Sequence, residues 1–85
     1  MSRRAYVLVR AEKGQTDTVA VELSGKQGIL KADQVFGQYD VVALIEADNL
    51  EDLAMIVRNK IATAEHVVRT ETLIISSAMQ RGLKS

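Results

Sequence analysis

Residues 40–47, which read Asp-Val-Val-Ala-Leu-Ile-Glu-Ala, carry the strongest indication of the fold. Its run of branched apolar residues is typical of a β-strand, and alternate side chains of a strand point to opposite faces of a sheet. One face of this strand carries three apolar side chains, those of Val41, Ala43 and Ile45. The other face carries those of Val42 and Leu44. Both faces of this strand therefore require apolar cover.

Residues 3–12 repeat the pattern near the N-terminus and predict the first strand. One face of it presents four small or branched apolar side chains, those of Ala5, Val7, Val9 and Ala11. Its other face presents Tyr6 and Leu8. In the ferredoxin-like sheet that the order of the elements predicts, these first and third strands lie in the middle.

The remaining sequence predicts two helices and two further strands. The expected order is strand 3–12, helix 15–26, strand 29–36, strand 40–47, helix 50–61 and strand 66–76. Asp48 stands three residues before Glu51, which is a capping-box pattern for the second helix. The apolar stripe expected along that helix consists of Leu50, Leu53, Ala54, Val57 and Ile61. With right-handed crossovers this order predicts an α+β, ferredoxin-like βαββαβ sandwich with both helices on one face.

The chain of 85 residues is predicted to be a single domain, with a core over about 3–77 and a C-terminal tail over 78–85. Two helices cover one face of its sheet, so the other face would display an apolar patch, formed by Tyr6, Leu8, Val42 and Leu44. Each of these side chains contributes roughly 1.5–3 kcal/mol when it is buried. We therefore expect two copies to pack sheet against sheet as a dimeric α/β barrel. The alternative is that Tyr6 and Leu8 are ordinary, partly exposed residues.

Charge on the other two strands fits edge positions, where it discourages unwanted strand pairing. The residues concerned are Lys31, Asp33, Gln34, Arg69 and Glu71.

Composition limits the function further. Eleven basic residues balance eleven acidic ones, so a direct nucleic-acid contact is not expected, since binders of nucleic acid normally carry a basic excess. The chain has no cysteine and one histidine, which argues against a disulfide or a structural zinc site. No apolar run is long enough for a signal peptide or a membrane span, and the predicted location is the cytoplasm. Neither a cofactor nor a metal is expected.

Two segments resemble the effector-binding domain of the Lrp/AsnC family of amino-acid-responsive regulators. Residues 35–42, Val-Phe-Gly-Gln-Tyr-Asp-Val-Val, resemble its hallmark turn, and residues 67–74, Val-Val-Arg-Thr-Glu-Thr-Leu-Ile, resemble its closing strand. The resemblance covers the chain from Tyr6 to about Ser76. It departs from the family at His66, where a glycine often stands just before the closing strand.

The resemblance implies a homodimer formed through the sheets, and an assembly of dimers into rings, often octamers. It implies an amino-acid effector in crevices between dimers, near the turn that carries Gly37, Tyr39 and Asp40, with Thr70 and Thr72 close by. Full-length members carry a DNA-binding helix-turn-helix, and this chain resembles the stand-alone modules that lack it. The expected partner is a DNA-binding paralogue or an enzyme.

The chemistry of the predicted site follows from what a free amino acid presents. Asp40 can accept a charge-assisted hydrogen bond from the ammonium group. Backbone N–H groups around Gly37 can hold the carboxylate, because glycine permits close approach. Thr70 or Thr72 can add a hydroxyl group, and Tyr39 an amphipathic ring.

Each of these residues also has a plain structural interpretation. Gly37 could serve only the hairpin turn, and Asp40 could cap that turn through its own backbone. Thr70 and Thr72 suit any strand, and Tyr39 could be an assembly contact. His66 is either an ordinary surface residue or a pH-sensitive contact.

Three functions remain open on sequence grounds. The first is an amino-acid sensor that takes part in transcription regulation. The second is a purely structural oligomerisation module. The third is a small dimeric enzyme, which the sequence disfavours because no nucleophile–base pair and no pair of carboxylates stands at a useful spacing, so that no catalytic residue is assigned.

Overall fold

A computed structural model describes residues 2–76 as one antiparallel sheet with helices on one face. Its strands are β1 (Arg3–Ala11), β2 (Ile29–Gln34), β3 (Val41–Ala47) and β4 (Val67–Ile74). Its helices are α1 (Thr16–Ser24) and α2 (Leu50–Ile56), and α2 continues as a π-helical stretch, Val57–Ile61. The strand order β2-β3-β1-β4 confirms the predicted ferredoxin-like sandwich with β1 and β3 in the centre. The predicted tail, 78–85, lies outside the described residues.

The pairing of β1 with β3 places one set of apolar residues on each face of the sheet. Tyr6 lies opposite Leu44, and Leu8 lies opposite Val42, so the four residues of the predicted patch are adjacent on the face without helices. The alternate residues face the helices and are fully buried; they are Ala5, Val7, Val9, Val41, Ala43 and Ile45. The helices cover them with a second buried set, which includes Val19, Leu23, Leu53 and Ile61.

The start of α2 differs from the prediction. The residue that caps it is Asn49, whose side-chain carbonyl accepts a hydrogen bond of 2.8 Å from the backbone N–H of Asp52. Asn49 has the extended backbone of an N-cap residue, and its side-chain oxygen satisfies the N–H of the residue three positions later. The capping box expected from Asp48 to Glu51 is therefore wrong by one residue, and Asp48 lies outside the helix.

The buried stripe of the second helix also differs. Leu53, Ile56 and Ile61 are buried, whereas Leu50 and Ala54 are exposed. Leu50 and Ala54 instead line a groove between α2 and β4. The π-helical stretch follows them in the chain, and there the N–H of Ala62 donates to the carbonyl oxygen of Val57. This five-residue bond inserts an extra residue into the turn and shifts the side chains that follow relative to an ideal α-helix.

The strand β2 ends earlier than predicted, at Gln34 instead of Phe36. The backbone N–H of Val35 donates to the carbonyl oxygen of Asp40, and this bond of 2.9 Å closes a loop over the intervening residues. At the tip of that loop Phe36 is fully exposed and Gly37 adopts a φ of 130°. The segment 35–39 therefore forms a projecting loop beyond the sheet, which is the place predicted for the ligand.

Candidate functional site

The loop between β2 and β3 presents unused hydrogen-bond donors. Gly37 adopts a φ that favours glycine, and a Cβ placed there would meet no atom within 4 Å. Within residues 2–76, the backbone N–H groups of Gly37, Gln38 and Tyr39 donate to no acceptor, whereas those of Val35 and Asp40 are both paired. Three successive free N–H groups on an exposed loop are suited to a small anion such as a carboxylate.

Asp40 is held at the base of this loop. Its backbone N–H donates to the carbonyl oxygen of Val9, and its Oδ2 accepts a hydrogen bond of 2.8 Å from the N–H of Ala11. The side chain is half-buried and lines a recess of about 210 Å³, together with Thr16, Gln34, Val35 and Phe36. A carboxylate has about four acceptor positions, so Asp40 keeps capacity for a cationic group in this recess.

Tyr39 lies over the face of the sheet that carries no helix. Its hydroxyl group donates a hydrogen bond of 2.7 Å to Oε1 of Glu71, and the guanidinium of Arg69 lies 5.4 Å from the centre of its ring. This contact with Arg69 is a cation–π interaction. The loop and β4 are thereby joined across the end of β1.

Thr70 and Thr72 lie on the opposite face. They pair with the buried residues Val9 and Val7, so their side chains point to the helix side of the sheet. Thr72 lines a groove of about 600 Å³ between α2 and β4, whose other walls include Leu50, Ala54 and Ile74. Within one chain, the structure therefore does not bring the two threonines together with Tyr39.

Several residues of this region were not selected from the sequence. Arg69 and Glu71 contact Tyr39, and Arg10 contacts the neighbouring Gln38. Thr16 and Gln34 share the recess of Asp40. The alternation of β4 could have identified Arg69 and Glu71, because it places both on the face opposite to Thr70. The recess residues carried no such signal, because only the folded chain brings α1 next to the loop.

The face of the sheet without helices, the open face, is apolar at its centre. Tyr6 is 43% exposed, and Leu8, Val42 and Leu44 are half-buried at its sides. Leu73 of β4 pairs with Tyr6 and is 47% exposed, which extends the patch by a residue that the sequence analysis did not include. No helix of the chain covers this surface within residues 2–76.

His66 adopts the left-handed backbone conformation, with a φ of 71°. Glycine suits such a position best, since a side chain there is strained. Its Nδ1 lies 2.8 Å from Oε1 of Glu12, and its carbonyl oxygen accepts the N–H of Glu12. The hydrogen bond to Glu12 raises the pKa of His66, the negative charges of Glu65 and Glu22 act in the same direction, and partial desolvation opposes them.

Two further observations concern the described part of the chain. No helix within residues 2–76 has the length and apolar character needed to cross a membrane. In the same range, no three histidine, aspartate or glutamate side chains come together as a metal site would require.

Solved structures with the same fold include a protein of Thermus thermophilus. It is 30% identical in sequence, with a TM-score of 0.82 over 87% of this chain and 92% of that one. AsnC of E. coli is 19% identical, with a TM-score of 0.79 over 86% of this chain, and this chain spans only 50% of its length. A transcriptional regulator of Neisseria meningitidis, solved as a complex with L-Met, is 12% identical, with a TM-score of 0.77 over 88% of this chain and 50% of that one.

The comparison with curated protein sequences gave no match. A family model described as the Lrp/AsnC ligand binding domain matches residues 4–83, which is nearly the whole chain. The match includes the loop with Tyr39 and Asp40 as well as the open sheet face. The chain therefore belongs to the Lrp/AsnC ligand-binding domain family, a family of regulatory domains.

Proposed function

We propose that this chain binds a free amino acid and self-assembles, and that it serves transcription regulation as an effector-sensing module without contacting DNA itself. The observation that carries the proposal is the half-buried carboxylate of Asp40 at the base of a loop with three free N–H groups. An acceptor for an ammonium group and donors for a carboxylate thus stand within a few residues of each other.

Two similarities support this choice of ligand. The N. meningitidis regulator, which shares the fold, was solved with L-Met. The family match supports an effector-binding role in regulation rather than catalysis. The even balance of eleven basic and eleven acidic residues supports the absence of a DNA contact, because a phosphate backbone selects for a basic surface.

The proposed site lies between subunits. Thr70 and Thr72 lie on the helix face and Tyr39 on the open face, so one chain cannot present all three to one small ligand. In the proposed assembly, the loop with Gly37, Tyr39 and Asp40 comes from one subunit and the threonine hydroxyl groups come from a neighbouring dimer. An amino acid bound there would favour the assembled state by mass action.

The proposed assembly begins with a homodimer that buries the open face. Its contact would consist of five apolar side chains from each copy, those of Tyr6, Leu8, Val42, Leu44 and Leu73. Dimers would then join into a ring, an octamer being the expected form. The proposed location is the cytoplasm, and the proposed partner is a DNA-binding paralogue.

Calorimetric titration of the chain with each of the twenty amino acids tests the ligand. We expect one or a few of them to bind, and we expect Asp40→Asn to lose that binding, since the amide can still accept the N–H of Ala11 but carries no charge. Asp48→Asn is the matched control, because Asp48 is an exposed carboxylate that precedes α2 and lies outside both the loop and the open face. Equal affinity in the Asp40 variant and the parent would remove Asp40 from the site.

A purely structural oligomerisation module is the second candidate, and one observation favours it. The hydroxyl group of Tyr39 and Oδ2 of Asp40 are both engaged inside the chain, with Glu71 and Ala11. Both residues would then serve only to hold the loop against the sheet. Heat-silent titrations with all twenty amino acids at millimolar concentration, together with intact self-association, would favour this function.

A further inference from the structure

Two arginines lie directly opposite each other on neighbouring strands. Arg10 of β1 pairs with Arg69 of β4, and both side chains stand on the open face near its end. Directly opposed like charges on adjacent strands destabilise a sheet. A counter-charge placed close to such a pair would relieve this repulsion.

The strands are distorted at this point. Arg10 pairs with Arg69 but Ala11 pairs with Val67, so Val68 is an extra residue that forms a bulge in β4. The exposed side of the bulge is concave: Arg10, Gln38, Val68 and Arg69 line a recess of about 500 Å³. Bulges frequently occur beside binding sites, because they redirect a side chain out of the regular sheet.

Both guanidinium groups are positioned by neighbours that leave their charge uncompensated. Nη1 of Arg10 donates to the carbonyl oxygen of Gln38. Arg69 stacks on the ring of Tyr39, and its Nη2 lies 3.4 Å from the tyrosine hydroxyl group. A guanidinium has five N–H donors, so each arginine retains several for a ligand.

No carboxylate among residues 2–76 neutralises this pair. The ion pairs in that part of the chain involve Arg4, Lys26, Lys31 and His66, and none of them includes Arg10 or Arg69. Glu71, the acidic residue of β4, accepts the hydroxyl hydrogen of Tyr39 and is linked to Arg69 only through that hydroxyl group.

We propose that Arg10 and Arg69 form an oxyanion-binding site at the end of the open sheet face, which takes a carboxylate or a phosphate group. Planar guanidinium forks match both groups and bind them through paired hydrogen bonds. The anion comes either from a free small molecule or from a carboxylate side chain of a second copy that packs on this face. The site goes beyond the proposed amino-acid function, because it requires neither Asp40 nor the free N–H groups of the loop.

An NMR titration with simple anions tests the site directly. The Nε–Hε resonances of Arg10 and Arg69 are followed while sodium phosphate, or in a second series sodium acetate, replaces sodium chloride at constant ionic strength. We expect saturable shifts at both arginines. Arg10→Gln and Arg69→Gln are each expected to weaken the binding by roughly tenfold or more, since a hydrogen-bonded charge contact is lost. Lys13→Gln is the matched control, because it removes one positive charge from an exposed turn outside the recess.

Sedimentation equilibrium tests whether the anion is a carboxylate side chain of a second copy. If a carboxylate of a second copy fills the site, the added anions leave the resonances unchanged, while self-association weakens roughly tenfold in either arginine variant but not in Lys13→Gln. If the Arg69→Gln variant does not fold, Arg69→Lys replaces it in these measurements, because lysine keeps the positive charge. Unshifted resonances together with unchanged self-association in the arginine variants would overturn the proposal. Amino-acid binding is measured separately through Asp40→Asn, so the two proposals can fail independently.

Discussion

The two faces of the sheet use the same strands for different purposes. On the helix side of β1 and β3 the apolar residues are buried, except for the partly buried Ala47 at the end of β3, and Val7, Ala43 and Ile45 have no exposed surface at all. On the open side, the intervening residues Tyr6 and Leu44 are apolar and yet partly exposed. The helix face completes the core of the chain, whereas no part of residues 2–76 covers the open face. Four substitutions test this difference between the two faces.

Ile45→Ala is expected to have the largest effect, because it creates a cavity in the closed core. Removing three buried carbons lowers the free energy of unfolding by about 2–5 kcal/mol. Chemical denaturation measures the loss, which should persist at every protein concentration. A loss below about 1 kcal/mol would contradict the assignment of this face as the finished core.

Leu44→Ser is expected to act on assembly. The leucine lies next to Ile45 in sequence but on the other face, and its truncation should weaken dimerisation by about 2 kcal/mol, or roughly thirtyfold in the dissociation constant. Sedimentation equilibrium measures this change. Val21→Ser is the control, since Val21 is an exposed apolar residue of α1 away from the open face. Undiminished association in Leu44→Ser would exclude this face from the dimer contact.

Gly28→Ala tests how tightly the helix face is closed. Gly28 has a φ of 90°, and an added Cβ would lie 2.8 Å from Cδ1 of Ile56, a buried residue of α2. Backbone strain alone is expected to cost roughly 1–2 kcal/mol. Gly25→Ala is the matched control, because its Cβ would make only an ordinary contact at 3.8 Å. Equal thermal stability of the two variants would show that the core has room at Gly28.

The His66–Glu12 contact belongs to neither apolar face and is expected to have the smallest effect. Because the pKa of His66 is raised above its ordinary value of 6.5, protonation stabilises the folded chain. The contribution is fully present below about pH 6.5 and is lost as the pH rises through the folded-state pKa. His66→Asn keeps a residue that tolerates positive φ but removes the charge.

Melting temperatures of the parent and His66→Asn between pH 5 and 8, at one protein concentration, measure this contribution. The advantage of the parent should shrink as the pH rises. Glu12→Gln should remove the same pH dependence, since it takes away the acceptor of the pair. A constant difference across the whole range would show that the ion pair does not affect folding.

Much of the fold could be predicted because strand alternation is a strong signal. The sequence places Tyr6 and Leu8 on one side of a strand and Val7 on the other, and it predicts that they share a patch with Val42 and Leu44. The register that sets Tyr6 opposite Leu44 comes from the structure. The cap at Asn49 and the π-helical stretch could not be predicted, since each depends on a shift of a single residue. Leu73 was missed because the faces of an edge strand are harder to assign when its neighbours are polar.

The candidate site was less accessible to prediction. The positions of Gly37, Tyr39 and Asp40 in one loop follow from the sequence, but the direction of each side chain does not. Tyr39 reaches across the sheet to Glu71, whereas Asp40 turns toward α1, and adjacent residues in a loop have no fixed alternation. Thr70 and Thr72 share a face, as the sequence indicates, but that face is the one beneath the helices.

The two-sided apolar character of β1 has a consequence for folding fidelity. A slip of one residue would place Tyr6 and Leu8 beneath the helices, and with them Arg10, which stands on the same face. The two apolar sets of the strand also differ in volume: Ala5, Val7 and Val9 fit beneath the helices, whereas Tyr6 and Leu8 are larger. An inverted strand would be excluded by steric crowding under α1 and α2 and by the cost of burying a guanidinium group, so size and charge together fix the pairing of this strand.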